Sequence, residues 1–461
     1  MSSTLLVKNA LILATMDSAR REISNGGIFV RDGFIEQVDE TAKLPETADE
    51  ILDLTGHVVL PGLINTHHHF YQTLTRAVPA AQDSNLFNWL KNLYPIWARM
   101  NPEDIYTSAV TALAELALSG CTTASDHLYL FPNGSKLGDE IAAAYDVGLR
   151  IHASRGSMSL GESEGGLPPD SVVDPEDKIL EDSVRVIERY HDANAGSMVQ
   201  IVLAPCSPFS VTTDLMRRSA ELARQYGVQL HTHLAETEDE TAFCQQMFGL
   251  TPVDYMDKVG WLDMDVWFAH AVHINETEVK RFAHHECGVA HCPSSNMRLG
   301  SGIAPLLKYR KHGVKVGLGV DGSASNDGSH LLAEARQAML LARLSAGLSG
   351  ASLSGTDAPK LISARECLEL GTVGGAKVLG RKDIGSLEVG KCADFFAYDV
   401  RRLETSGALH DPVAALVFCQ PRNVDYTVVH GKVVVREGQL TTIDLEKHIQ
   451  KHNQAAARIA Q

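Results

Sequence analysis

Eight apolar, β-rich runs recur along the chain with amphipathic stretches between them, and this alternation constrains the fold more than any other feature. The runs are Val58 to Asn65, Cys121 to Leu130, Leu149 to Ser154, Val199 to Pro205, Val228 to Leu234, Val266 to Val272, Val289 to Cys292 and Val314 to Asp321. Between them lie Glu103 to Leu118, Glu176 to Tyr190, Thr213 to Tyr226, Glu276 to His285 and Leu331 to Leu344. Strand alternating with helix argues for βα units and parallel pairing. Eight such units closed on themselves make an α/β fold of the (β/α)8 TIM-barrel type, in which chemistry sits at the C-terminal ends of the strands. One pattern points elsewhere: Gly317-Leu-Gly319-Val-Asp-Gly322 matches the G-x-G-x-x-G of an open, doubly wound sheet. It closes the last unit of the series instead of opening a dinucleotide fold, so it carries little weight.

Outside the eight units the pattern changes. Leu5 to Leu13, Gly27 to Arg31, Phe34 to Val38, Ala393 to Tyr398, Tyr426 to Val429 and Lys432 to Arg436 are short runs separated by Gly and Asp turns. The two chain ends are therefore expected to share a small β-sandwich domain, residues 1–60 with 370–461, around a barrel of residues 61–369. Asp444 to Ala460 reads as a terminal helix. At 461 residues, 44% hydrophobic and 21% charged, the chain can bury a large core. Forty-one Lys and Arg against 57 Asp and Glu give a net charge of −16, which lacks the basic footprint of a nucleic-acid or anionic-membrane binder and favours small substrates. Eight scattered cysteines without C-x-x-C, among them Cys121, Cys206 and Cys292 inside apolar runs, point to buried thiols and a reducing cytoplasm. The apolar stretch near the N-terminus is broken by Lys8 and Asn9 and has no basic leader, so it reads as a strand and not as a signal or membrane span.

Residues with metal-ligating side chains end several of the eight runs: His67-His68-His69, His231-Thr232-His233 followed by Glu236, His270, and Asp321. Alternate residues of a strand project to one face, so His67 and His69 converge while His68 points away. Imidazole nitrogens suit zinc or iron(II), and a carboxylate completes such a site while leaving room for water. In a chain with 20 histidines a lone H-x-H says little; four pieces at strand ends say more. Spacing does not choose between His231 and His233, because both face the same way.

Leu60 to His69, His233-Leu-Ala-Glu236, Ala269 to His273, His291 to Asn296 and Gly319-Val-Asp321-Gly322 resemble the amidohydrolase superfamily, and within it the mononuclear aminohydrolases that deaminate heterocycles. The resemblance covers essentially the whole chain. It implies metal ligation by His67, His69, His233 and Asp321, since the family's H-x-x-E pattern selects His233 over His231. His231, His273, His284, His285 and His291 are left as core or supporting residues. Binuclear members carry a bridging lysine at the end of strand four, where this chain has Ala204-Pro205-Cys206, so the resemblance implies one divalent metal ion, zinc or iron. It implies three catalytic residues as well: Glu236 to shuttle protons, His270 to stabilise the developing tetrahedral centre, and Asp321 to take the water proton.

Phe70 to Asp83, Leu93 to Trp97 and Ser157 to Pro169 look like the 8-oxoguanine deaminases, and the same segments are similar to triazine hydrolases. The expected reaction is hydrolytic deamination of a free purine-type base, 8-oxoguanine to urate and ammonia. Isoxanthopterin, guanine or a triazine are the alternatives on the same scaffold. Glu236 favours deamination over dechlorination, because an amine leaves only when protonated. A non-catalytic assembly protein of this fold would have lost ligands, and none is missing. The H-x-E with P-C-x-x-C of nucleic-acid deaminases is absent. For substrate contacts the candidates are Gln72, whose amide can donate and accept at once, the aromatic Trp97 and Tyr94, and Asn296. Gly156 to Pro169 is either a lid or an ordinary connection. Family resemblance also implies a homo-oligomer.

Overall fold

The computed structural model describes residues 3–349 and 360–461. Residues 350–359, inside the span expected for the barrel, lie outside the described residues. Eight parallel strands close into a barrel: β1 (Leu63–Asn65), β2 (Cys121–Leu128), β3 (Arg150–Ser157), β4 (Val199–Pro205), β5 (Gln229–Leu234), β6 (Val266–His270), β7 (Gly288–His291) and β8 (Lys315–Leu318). Each pairs with its chain neighbours, and β8 closes on β1 through Leu318 and Asn65. All eight expected runs are present, and helices such as Pro102–Leu118, Glu176–Tyr190 and Thr213–Tyr226 return the chain between them. Helix starts carry their own signals. Asn101 and Asp104 form a capping box, and the Thr212 side chain accepts from the Leu215 amide.

The first run differs in one respect: it is two strands, not one. His57–Pro61 belongs to the sheet built from the chain ends, and only Leu63–Asn65 enters the barrel. The break falls at Gly62, where a Cβ would lie 2.1 Å from Thr122 Oγ1, so the chain can cross between the sheets only with hydrogen there. The sheet of the chain ends has nine strands, and the two ends meet where Phe395–Asp399 runs antiparallel to His57–Pro61. Alternate residues of its strands, among them Leu5, Val7, Ile28, Val30, Phe395 and Ala397, form one apolar cluster. The C-terminal helix Leu445–Ile459, capped by Asp444, packs on Pro102–Leu118, where His448 Nε2 meets Thr111 Oγ1 at 2.8 Å. Among the described residues no helix is long and apolar enough to cross a membrane.

A 12-residue helix, Leu86–Trp97, follows β1 before the first barrel helix. Asn85 caps it by accepting from the Asn88 amide, and its buried face carries Trp89, Leu90, Leu93, Tyr94 and Trp97.

Candidate metal centre and active-site cavity

Hydrogen bonds behind the histidine rings determine where their lone pairs point. A carbonyl oxygen only accepts, so a ring nitrogen bonded to one must carry the proton. His69 Nδ1 donates to His127 O at 2.8 Å, and His233 Nδ1 donates to Cys206 O at 2.6 Å. Burial pushes both rings below the ordinary histidine range, His233 to about 3, so both are neutral and their Nε2 atoms are bare. Those two atoms face each other at 3.1 Å. His67 arrives at the same condition by one more step. His231 Nδ1 donates to Trp267 O at 2.9 Å, which leaves His231 Nε2 to accept from His67 Nδ1 at 2.8 Å. His67 Nε2 is then bare as well, burial pushing its pKa well down, and it lies 3.2 Å from Asp321 Oδ1. His69 Nε2 is 3.4 Å from the same oxygen.

Three lone pairs and a carboxylate oxygen thus converge with no proton between them. Burial would raise the Asp321 carboxyl, but the His270 imidazole beside it helps to hold it well below the usual carboxylate range. Such a cluster repels itself unless a cation sits within it, and two overlapping sets of side chains, His67 with His69, His127 and His233, and His67 with His270 and Asp321, have ligand atoms close enough together to hold one. The donor set of nitrogen and carboxylate oxygen fits a divalent zinc or iron ion. The structure also separates the two strand-mates: His233 presents its bare nitrogen to the cluster, whereas His231 spends both nitrogens on His67 and Trp267.

The other carboxylate oxygen of Asp321 accepts from Ser295 Oγ at 2.6 Å and Ser325 Oγ at 3.2 Å. His270 Nδ1 donates to Asn296 Oδ1 at 2.8 Å, which turns Nε2 toward Glu236 Oε2 at 3.6 Å and Asp321 Oδ2 at 3.9 Å. Burial lowers the His270 pKa, but these two carboxylates win and raise it. Glu236 is buried, accepts from Ser301 Oγ at 3.1 Å, and has its carboxyl pushed up by desolvation. Behind it the Glu240 carboxylate takes the backbone N–H of Ala235 at 2.9 Å and of Glu236 at 3.2 Å, and burial raises its own pKa to about 7.

A cavity opens over this cluster. His69, His233, Glu236, His270 and Asp321 form its floor, and Gln72, Trp89, Leu90, Tyr94, Tyr129, Phe209 and Leu299 are among its walls. Gln72 lines the cavity, with its Oε1 buried and without a hydrogen-bond partner. Trp97 does not line the cavity. It is fully buried among Tyr71, Trp89 and Tyr94 and donates through Nε1 to Thr75 Oγ1, so Trp89 presents the indole wall in its place. Asn296 acts behind His270 and is likewise absent from the lining. No residue of Gly156 to Pro169 reaches the cavity; the helix Leu86–Trp97 covers it. Sequence reasoning passed over His127, whose ring stacks on His233 at 4.9 Å and 20° and whose Nε2 donates to Ala204 O. Its only signal is a histidine within the second apolar run.

The glycine pattern of β8 also finds its cause here. A Cβ at Gly317 would meet Thr66 at 2.6 Å, at Gly319 His67 Cβ at 2.9 Å, and at Gly322 Gln72 Oε1 at 1.8 Å. The G-x-G-x-x-G spacing is the imprint of the β1 segment lying against β8 and the loop beyond it, and has no relation to a dinucleotide.

The sequence pattern of the amidohydrolase family matches residues 58–434. The chain belongs to that family. This amidohydrolase is 48% identical to the 8-oxoguanine deaminase of Pseudomonas aeruginosa, over 94% of this chain and 95% of that protein. It is 38% identical to the hydroxydechloroatrazine ethylaminohydrolase of Pseudomonas sp. (strain ADP), over 94% and 91%. Among solved structures, the atrazine chlorohydrolase of Arthrobacter aurescens TC1 complexed with zinc superposes with a TM-score of 0.92 at 32% identity, covering 98% of this chain and all of that one. This amidohydrolase is an enzyme, a hydrolase of carbon–nitrogen bonds with deaminase or amidohydrolase activity on heterocyclic substrates.

Proposed function

We propose that the enzyme holds one divalent metal ion, zinc, between His67, His69, His233 and Asp321, and deaminates free 8-oxoguanine to urate and ammonia. The observation that carries the metal reading is the convergence of two proton-free imidazole nitrogens, of His67 and His69, on one carboxylate oxygen, with the bare His233 Nε2 3.1 Å from that of His69. The substrate reading is supported by the 48% identity to an 8-oxoguanine deaminase. A divalent ion held there supplies a water-derived nucleophile at neutral pH. Asp321, with one oxygen toward the imidazoles and the other toward Ser295 and Ser325, takes the water proton. Glu236, its carboxyl pushed up by desolvation, gives a proton to the ring nitrogen beside the amine-bearing carbon, recovers one from the added hydroxyl as the carbonyl forms, and passes it to the departing amine. His270, whose Nε2 faces Glu236 and Asp321, hydrogen-bonds the oxygen that is added to that carbon. Water adds, ammonia leaves, and a carbonyl remains. Gln72 offers its amide to the ring edge, and Trp89 packs on the ring face. All eight cysteines are free and seven are buried, which supports a reducing cytoplasmic setting.

The test is ammonia release from 8-oxoguanine beside guanine, isoxanthopterin and an aminotriazine, using zinc-loaded protein with His67→Ala as control. Release from 8-oxoguanine well above the other three, abolished in the control, is the expected result. Preferential turnover of the triazine or the pterin would overturn the substrate assignment and leave the metal centre standing.

A further inference from the structure

Both nitrogens of His231 are committed, although the ring lies only two residues before His233 on the same strand face. Its Nδ1–H goes to Trp267 O at 2.9 Å and its Nε2 accepts from His67 Nδ1 at 2.8 Å. The ring also lies flat on the Trp267 indole, 4.5 Å between centroids and 17° between planes. That indole donates from Nε1 to Thr66 O at 3.1 Å, the carbonyl of the residue directly before His67. One tryptophan therefore holds the His231 proton, the His231 ring plane and the backbone that carries His67. All three residues are fully buried, so no water substitutes for a lost partner.

A neutral imidazole has one proton and two nitrogens. With an acceptor fixed behind Nδ1, His67 keeps its proton there and presents a bare Nε2 to the centre. Without that acceptor, Nε2 can carry the proton, and a protonated nitrogen cannot ligate. We infer that His231 and Trp267 form a positioning relay that sets metal affinity by fixing the tautomer and orientation of His67. His231 touches neither the cavity nor the carboxylate, and its role runs wholly through His67.

This inference rests on the metal centre proposed above. The experiment is zinc affinity by competition with a chromogenic chelator, for the wild type, His231→Phe and His231→Gln, with thermal melting of each metal-free protein alongside. Phenylalanine keeps the stacking area and removes the acceptor; glutamine restores an amide oxygen able to accept. His231→Phe is expected to bind zinc about 10- to 100-fold more weakly while its metal-free form still melts cooperatively at a lowered temperature, and His231→Gln to recover most of the affinity loss. Equal affinity for wild type and His231→Phe, or equal loss in both variants, would overturn the relay. Should the phenylalanine variant fail to fold, glutamine against His231→Asn, whose amide is one carbon shorter, carries the same comparison. Wild-type protein that binds no zinc would overturn the metal centre itself, so the two failures are distinct.

Discussion

His270 and Asp321 sit at φ of 68° and 61°, and Ala235 and Ala271 at 50° and 46°, all in the left-handed region that non-glycine residues avoid. Each costs about 1–3 kcal/mol, and they cluster where β5, β6 and β8 end over the centre. The strain re-aims side chains that a regular strand would send elsewhere, and Glu240 helps to hold it by binding two successive amides. Gly322 shows the same economy of space from the other side. Gly322→Ala would place a methyl 1.8 Å from Gln72 Oε1 and drive the amide off its position. The expected outcome is a fall in kcat/KM of about 10- to 100-fold with zinc content unchanged; steady-state kinetics beside metal analysis checks it. At this scale the sequence is partly legible. His67, His69, Glu236, His270 and Asp321 declare themselves by strand parity and position at strand ends. His231 and His233 do not, because parity is identical for both, and only the depth at which each ring meets its neighbours separates them. Asn296 and Trp97 were readable as polar and aromatic groups near the site, but whether they face the cavity depends on packing across the barrel that no local pattern records.

Among elements, the eight barrel strands are legible because buried parallel strands are continuous apolar runs, and the helices because their apolar residues repeat at helical spacing. The division of the first run at Gly62 is not. Val58 to Asn65 reads as one strand, and only contact with Thr122 shows where it must change sheets. The covering helix Leu86–Trp97 was equally hidden, since its sequence mixes aromatic residues with Pro95 in the last turn. The two sheets are also tied by charge. Arg150, at the start of β3, donates from Nη2 to both oxygens of Asp394 at 3.0 and 3.1 Å, both side chains buried, and Asp394 accepts the His430 amide besides. Removing one partner strands the other in a dry interior. Asp394→Ala is expected to cost about 3–5 kcal/mol in urea unfolding, while a surface pair such as Arg31 with Glu36 costs under about 1 kcal/mol on the same treatment.

For the whole molecule, closure of the barrel is what makes a centre from residues spread over 255 positions of chain. β8 meets β1 through Leu318 and Asn65, and this one seam brings Asp321 beside His67 and His69. The helical segment of residues 370–378 covers the outside of the same seam, with Gly375 against Ile64 of β1 and Gly374 against Val316 of β8. The alternation of strand and helix announces the barrel, and the family resemblance announces the chemistry; neither states how the lone pairs are oriented. That orientation is the centre of the account, and counting metal tests it most directly. Protein stripped with chelator, reloaded with zinc and freed of excess should hold one zinc per chain by elemental analysis, and His233→Ala close to none. Two zinc ions per wild-type chain, or a His233→Ala protein that still holds one tightly, would contradict it.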